Sequence, residues 1–206
     1  MSIRALSDIF DELITATQND TISFGDLLGI FHERGFGALL FIIALPAALP
    51  IPAVGYGTIL AFPLLLLTAQ QVVGRYTIWL PRKARAKTLS SQSLRGTIER
   101  AQPWLKRIER LTRPRLEFIT QGFFSRLIGL AGFIMACSVL LPLPLTNTVP
   151  SIGIAVMAIG VLMRDGVAVI AGMMIGLVWV GALLYFILTF GPEGIEMMKN
   201  LIKSVI

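Results

Sequence analysis

The chain has 206 residues, of which 55% are hydrophobic and only 15% charged, with a net charge of +6 at pH 7. Soluble domains carry roughly 25% charged residues, so the composition excludes an ordinary water-soluble fold and leaves no room for a separate catalytic domain. At about 20 residues per crossing, the length suits one compact integral membrane unit with roughly four to six hydrophobic segments.

Residues 1–33 hold Asp8, Asp11, Glu12, Asp20, Asp26 and Glu33 and no unbroken apolar run, so they do not read as a cleaved secretory signal. Leu6, Ile9, Phe10, Leu13 and Ile14 recur at three- and four-residue spacing with acids opposite, which predicts an amphipathic surface helix. After the polar break at Gln18, Asn19 and Asp20, Ser23 is placed to cap a second helix carrying Leu27, Leu28 and Phe31.

Residues 35–49 continue without a charge. They make only about 22 Å of helix against a hydrocarbon core of roughly 30 Å, too short for a comfortable span. Pro46, Pro50 and Pro52 remove backbone donors and end the helix. A second apolar run over residues 53–73, with Pro63 inside it and Gln70 and Gln71 near its end, completes a broken helical hairpin.

Thirteen of the eighteen Lys and Arg residues fall between Arg75 and Arg126, against the three acids Glu99, Glu109 and Glu117. By the positive-inside rule this stretch is cytoplasmic. Within it Leu94, Ile98, Ala101, Leu105, Ile108 and Leu111 form a helical stripe beside Arg95, Arg100, Lys106, Arg107 and Arg110. This basic amphipathic helix, with Trp79 and Trp104 as interfacial anchors, suits anionic lipid headgroups or packing on the protein's own cytoplasmic face. No nucleic-acid-binding motif accompanies the run, so nucleic acid is not the expected partner.

The second half repeats the plan. Residues 127–141 form another short apolar helix, and Pro142 and Pro144 end it. A polar break through Leu145, Thr146, Asn147, Thr148, Val149 and Pro150 then leads into an apolar run over residues 152–163. Residues 167–190, with Trp179 and Tyr185, read plainly as a transmembrane helix stopped by Gly191 and Pro192.

The two halves match without a gap at an offset of ninety-two residues. Arg34, Gly37, Phe41, Ile42, Ala44, Leu49, Pro50 and Pro52 recur as Arg126, Gly129, Phe133, Ile134, Ala136, Leu141, Pro142 and Pro144. Paired broken apolar segments in corresponding positions mark transporter-like membrane sites. The expected fold is an all-α integral membrane protein forming a single membrane domain. Its parts are N-terminal amphipathic helices over 1–33, a first Pro-broken hairpin over 34–74 and a basic linker over 75–125. A second hairpin over 126–166, a transmembrane helix over 167–190 and a tail over 191–206 complete it. If each hairpin re-enters from the cytoplasm the copies are parallel; an odd number of crossings in the first copy would invert them.

At this point the residues resemble a known family. Ser23-Phe24-Gly25-Asp26-Leu27-Leu28, Arg34-Gly35-Phe36-Gly37, Leu45-Pro46-Ala47-Ala48-Leu49-Pro50-Ile51-Pro52, Gln70, Gly74-Arg75 and Trp79-Leu80-Pro81 look like the exopolysaccharide synthesis ExoD family. So do Arg113-Pro114-Arg115-Leu116, the stretch from Leu141 to Pro150, and Arg164-Asp165-Gly166. The resemblance runs from about Leu6 to Phe190 and rests on the order and spacing of these pieces. Ile78 stands where many members carry Pro, a minor departure. The resemblance implies a multi-pass bacterial inner-membrane protein linked to exopolysaccharide production, and it supplies no catalytic residues.

Candidate binding residues lie at the breaks. Thr146, Asn147 and Thr148 come just after the second proline pair, where exposed backbone and half-helix ends suit a phosphate, a sugar hydroxyl or a cation. Gly55, Tyr56, Gly57 and Thr58 form the equivalent break of the first copy, and together the two suit one central site; equally, the Pro and Asn residues suit helix ends at a water interface. Arg164 and Asp165 interrupt apolar sequence, as a lipid-phosphate site or as a turn between helices. Gln70 is similarly placed in the first copy. Arg34 and Arg126, at the mouths of the hairpins, suit interfacial anchoring or phosphate capture. Pro50, Pro52, Pro142, Pro144 and Pro150 are the structural breaks.

His32 is the only histidine and Cys137 the only cysteine, so no disulfide forms within the chain and no metal-ligand spacing exists. Cys137 reads as a small packed hydrophobe. Phosphate-loop, dinucleotide and nucleophile-elbow motifs are absent, so neither a cofactor nor an enzymatic activity is expected. The leading reading is transporter-like handling of a polyprenyl-phosphate carrier or a polysaccharide precursor. Alternatives are a non-transporting scaffold for polysaccharide synthases and an ion or proton antiporter using Asp165. A homodimer would help to bury broken backbone.

Overall fold

A computed structural model describes residues 21–23, 25–26, 29, 35–49, 56–75, 77–90, 115–140 and 147–205. In chain order these form β1 (Thr21–Ser23), α1 (Gly35–Ala47), α2 (Tyr56–Val72), the short α3 (Arg82–Arg85) and β2 (Thr88–Ser90). A 3-10 turn (Glu117–Thr120), α4 (Gly122–Leu140), α5 (Thr148–Met163) and α6 (Gly166–Val205) complete the order. The described chain is thus α-helical apart from one two-stranded antiparallel ribbon, β1 on β2, in which Ile22 faces Leu89.

That ribbon adds strands that the sequence does not predict, while Gly25, Asp26 and Gly29 are helical, in the stretch where the second helix is expected. Ser23 ends β1 and still acts as a cap, its Oγ accepting the Asp26 N–H at 3.1 Å. The amphipathic stretches over residues 6–14 and 94–111 lie outside the described residues.

α1 and α2 tolerate Pro46 and Pro63 inside them. Each proline lacks the N–H that would bond four residues back, a loss a buried apolar helix absorbs through tertiary packing. Pro150 corrects the expected break: it sits in the first turn of α5, where backbone N–H groups have no partner within the helix anyway, so it does not interrupt the helix. The C-terminal tail needs a correction too. Gly191 takes φ 55° and ψ −140°, kinking α6, and helix resumes through Val205.

α5 is the central helix. Its Ser151, Gly153, Ile154, Ala155, Met157, Ala158 and Gly160 are all buried, as expected of a helix apolar on every side. Its most extensive contacts are with α6 and α1, while α2 packs chiefly on α4. Each hairpin's helices therefore touch the other hairpin more than each other. Glycines make these contacts close: a Cβ on Gly37 would lie 2.9 Å from the Ala158 carbonyl oxygen, and one on Gly129 would lie 2.6 Å from the Val72 nitrogen. Between α5 and α6, a Cβ on Gly172 would fall 2.4 Å from the Met157 nitrogen. Small residues at such crossings let backbones approach and gain dispersion energy without a solvent-driven hydrophobic term.

These contacts also fix direction. Gly37, near the start of α1, meets the end of α5, and Gly129, near the start of α4, meets the end of α2. The turn between α5 and α6 packs on residues 115–116, just before α4, where the Gly166 N–H donates to the Arg115 carbonyl at 2.7 Å. One end of the bundle thus gathers the starts of α1, α4 and α6 with the ends of α2 and α5; we call it the basic end, for Arg75, Arg115 and Arg126. The end of α1, the start of α2, the end of α4 and the start of α5 lie at the opposite end.

Leu40, Leu64, Met135, Ile154, Met157 and Val169 form the core at full burial. Outside it, Ile42, Leu45, Ile59, Phe62, Ile134, Met174, Val178 and Leu188 are exposed. An exterior this apolar suits contact with lipid rather than water. Cys137 lies on it, exposed, and is not the packed residue the sequence suggests. Two helices, Gly122–Leu140 and Gly166–Gly191, are long and apolar enough to cross a membrane; α1, α2 and α5 are shorter apolar helices.

Candidate functional site

The two breaks meet through one side chain. Asn147 precedes α5 in helical conformation and makes no side-chain cap. Its amide lies instead on the first turn of α2, where a Cβ on Gly57 would fall 2.1 Å from Nδ2 and 2.6 Å from Cγ. Only glycine leaves room for it. Asn147 Oδ1 is buried there without a hydrogen-bond partner.

Three further buried polar atoms share this half of the bundle. Ser151 Oγ, one turn into α5, Ser138 Oγ on α4 and Trp179 Nε1 on α6 all lack a partner. Their level is set by packing. The Met135 side chain fills the space at Gly176, and Gly153 abuts Gly176 as well, so Ser138, Ser151 and Trp179 stand within about one turn of that crossing toward the breaks. From the start of α6 to Trp179 is about 20 Å of helix, short of a hydrocarbon thickness near 30 Å.

Each such orphaned group costs about 1–3 kcal/mol, so four in one half of the bundle are a candidate place for a polar ligand. The set mixes neutral donors and acceptors with an aromatic ring and contains no charged side chain. That chemistry matches hydroxyl groups better than a bare phosphate. Sequence reasoning singles out Asn147 and misses Ser138, Ser151 and Trp179. Buried helix serines and threonines commonly bond back to the preceding turn, as Thr68 Oγ1 does to the Leu64 carbonyl at 2.7 Å, and nothing in the sequence separates the ones that do not.

The other candidates lie away from this cluster. Thr148 belongs to the first turn of α5, adjoining Asn147. Gln70 is 8% exposed and clamps the chain after α2: its Oε1 accepts the Trp79 N–H at 2.6 Å and its Nε2 donates to the Trp79 carbonyl at 3.1 Å. Arg164 takes a left-handed conformation as the C-cap of α5 and pairs with Glu117. Asp165, 5% exposed, accepts the Val167 N–H at 3.0 Å and the Ala168 N–H at 3.3 Å, capping α6. Arg-Asp-Gly is thus a turn between two helices, locked to the 3-10 turn before α4. Arg126 stands at the basic end beside Gly74, remote from Asn147. Arg34, Pro50, Pro52, Pro142, Pro144 and Thr146 lie outside the described residues. Among the described residues no group of three His, Cys, Asp or Glu side chains gathers to hold a metal.

A helical bundle with an apolar exterior and two helices long and apolar enough to cross a bilayer suggests a helical membrane protein. Comparison with known sequences gives the family: the model for "Exopolysaccharide synthesis, ExoD" matches residues 6–185, and the chain belongs to that family. An uncharacterised protein of Synechocystis is 32% identical over 205 residues, covering 97% of this chain and 96% of that relative. Protein ExoD of Rhizobium meliloti is 29% identical over 175 residues, covering 83% of this chain and 72% of its own. No solved structure matches. Membership implies involvement in exopolysaccharide synthesis.

Proposed function

We propose that this chain is a non-enzymatic, multi-pass protein of the bacterial inner membrane that moves a lipid-linked exopolysaccharide precursor, or its polyprenyl-phosphate carrier, through the polar level between its two hairpins. The observation that carries this reading is the Asn147 amide seated on Gly57, with Ser138, Ser151 and Trp179 offering unpaired polar atoms nearby. Sugar hydroxyls would satisfy all four groups. The hairpins act as two copies of one re-entrant element, parallel to each other, with their mouths at the cytoplasmic face. In support, Gly37 and Gly129, equivalent at the ninety-two-residue offset, each abut the second helix of the opposite hairpin. Anionic headgroups surround the basic end, and a second copy of the chain covers the broken backbone at the far end.

Purified protein in liposomes should accelerate movement of a labelled polyprenyl-phosphate sugar between leaflets. Asn147→Ala should abolish the acceleration. Movement at the rate of protein-free liposomes would refute the proposal.

A second reading, a scaffold for polysaccharide synthases, draws on Arg82, Lys83, Arg85 and Lys87, basic residues of the linker. Charge reversal there would abolish exopolysaccharide production under the scaffold reading and spare it under the transport reading. The antiporter reading is the weaker one, because Asp165 is engaged in capping α6.

A further inference from the structure

We infer that the cleft between the end of α2 and the start of α4 binds the phosphate of a membrane lipid. It is a cavity of about 250 Å³ lined by Gly74, Arg75, Gly122, Phe123, Ser125 and Arg126. Arg75 and Arg126 line it and, among the described residues, no carboxylate does, a set that an anion would complete. Glu117, the acid nearest to Arg126 along the chain, is paired with Arg164 instead.

The backbone is shaped for this arrangement. Gly74 has φ +79°, and a Cβ on it would lie 2.6 Å from Arg126 Nε, so the bare main chain lets Arg126 lie across the end of α2. The first-turn N–H groups of α4 have no partners within the helix, and Gly122, at φ +58°, leaves open space before them. Below, Gln71 is 2% exposed; its Nε2 donates to Ser125 Oγ at 3.4 Å, and its Oε1 has no partner. Ser125, already accepting from Gln71, keeps its own O–H to donate to an anion.

The surroundings favour a headgroup over a free ion. Phe123, which lines the cleft, is exposed, and Phe124 stacks edge-to-face with both Phe118 and Phe123. Such an aromatic cluster beside arginines marks a membrane–water interface, the depth at which lipid phosphates lie. The inference deepens the proposed function by naming the group captured at the cytoplasmic mouth, and rests on it only for which lipid is bound in the cell.

Full-length protein in detergent, titrated with short-chain phosphatidic acid and separately with inorganic phosphate, tests it. Saturable binding of the lipid is expected, weakened about tenfold or more by Arg75→Gln and by Arg126→Gln, and less by Arg126→Lys. Arg115→Gln, an exposed arginine outside the cleft, should bind as the unaltered protein does. Equal binding by Arg75→Gln and Arg126→Gln to that of the unaltered protein, or inorganic phosphate binding as tightly as the lipid, would overturn the inference. Because no transport is measured, intact headgroup binding without lipid movement in liposomes would refute the transport proposal and leave this site standing.

Discussion

Asn147 and Gly57 tie the two breaks together, through an amide packed where any side chain on residue 57 would stand. Gly57→Ala should therefore displace the amide, at a cost of about 1 kcal/mol or less because a side-chain end can swing aside. Thermal unfolding in detergent of Gly57→Ala, Asn147→Ala and the double variant measures the coupling. The double variant should be more stable than the two single losses predict, since removing the amide vacates the space the new methyl needs.

Gly37, Gly129 and Gly172 each abut backbone atoms of a neighbouring helix, which cannot swing aside as a side chain can. Alanine at any of them should destabilise the bundle by about 1–3 kcal/mol. Gly181, also on α6, has nothing within 4 Å of its missing Cβ. Gly181→Ala should be neutral or gain up to about 1 kcal/mol from helix propensity. Melting temperatures of the four variants check the contrast.

Ser151→Ala and Ser138→Ala should leave stability unchanged or slightly raised, because each removes a buried hydroxyl without a hydrogen-bond partner. Lipid-linked sugar movement should fall in both. A loss of stability with activity retained would assign these hydroxyls to structure.

Arg164 and Glu117 have side chains 28% and 37% exposed, so solvent screens their pair. Arg164→Gln should cost about 1 kcal/mol or less and leave lipid movement intact. Asp165→Ala should cost about 1 kcal/mol through loss of the α6 cap, and Asp165→Asn, which can still accept the same N–H bonds, clearly less. Flux that disappears in Asp165→Asn would support ion coupling instead.

Cys137 is exposed on the outer face of α4, in line with Leu130 and Ile134. If lipid covers that face, a membrane-impermeant maleimide should fail to label it in native membranes from either side and should label it after denaturation in SDS. Rapid labelling in intact membranes would place α4 in water.

Much of the helical plan was legible because it depends on local chemistry. The uncharged apolar runs predict helices where α1, α2, α4, α5 and the first part of α6 lie, while the bilayer length of α4 and the helix beyond Gly191 go past the sequence reading. Pro150 misled because a proline reads as a break unless its position within the helix is known, and a first turn accepts it without loss. The ribbon between Thr21–Ser23 and Thr88–Ser90 was illegible because two three-residue strands sixty-odd residues apart leave no periodic trace.

The sequence by itself determined an apolar, helix-forming composition and a basic segment in its middle, since hydropathy and charge act over a few neighbouring residues. Only the tertiary structure decided that each hairpin packs mainly on the other, that α5 sits at the centre, and that Asn147, Ser138, Ser151 and Trp179 share one half of the interior while Arg75 and Arg126 share the opposite end. The physical reason is that these groupings depend on which glycines let two backbones touch. That is a property of pairs of helices, and one strand of sequence does not display it.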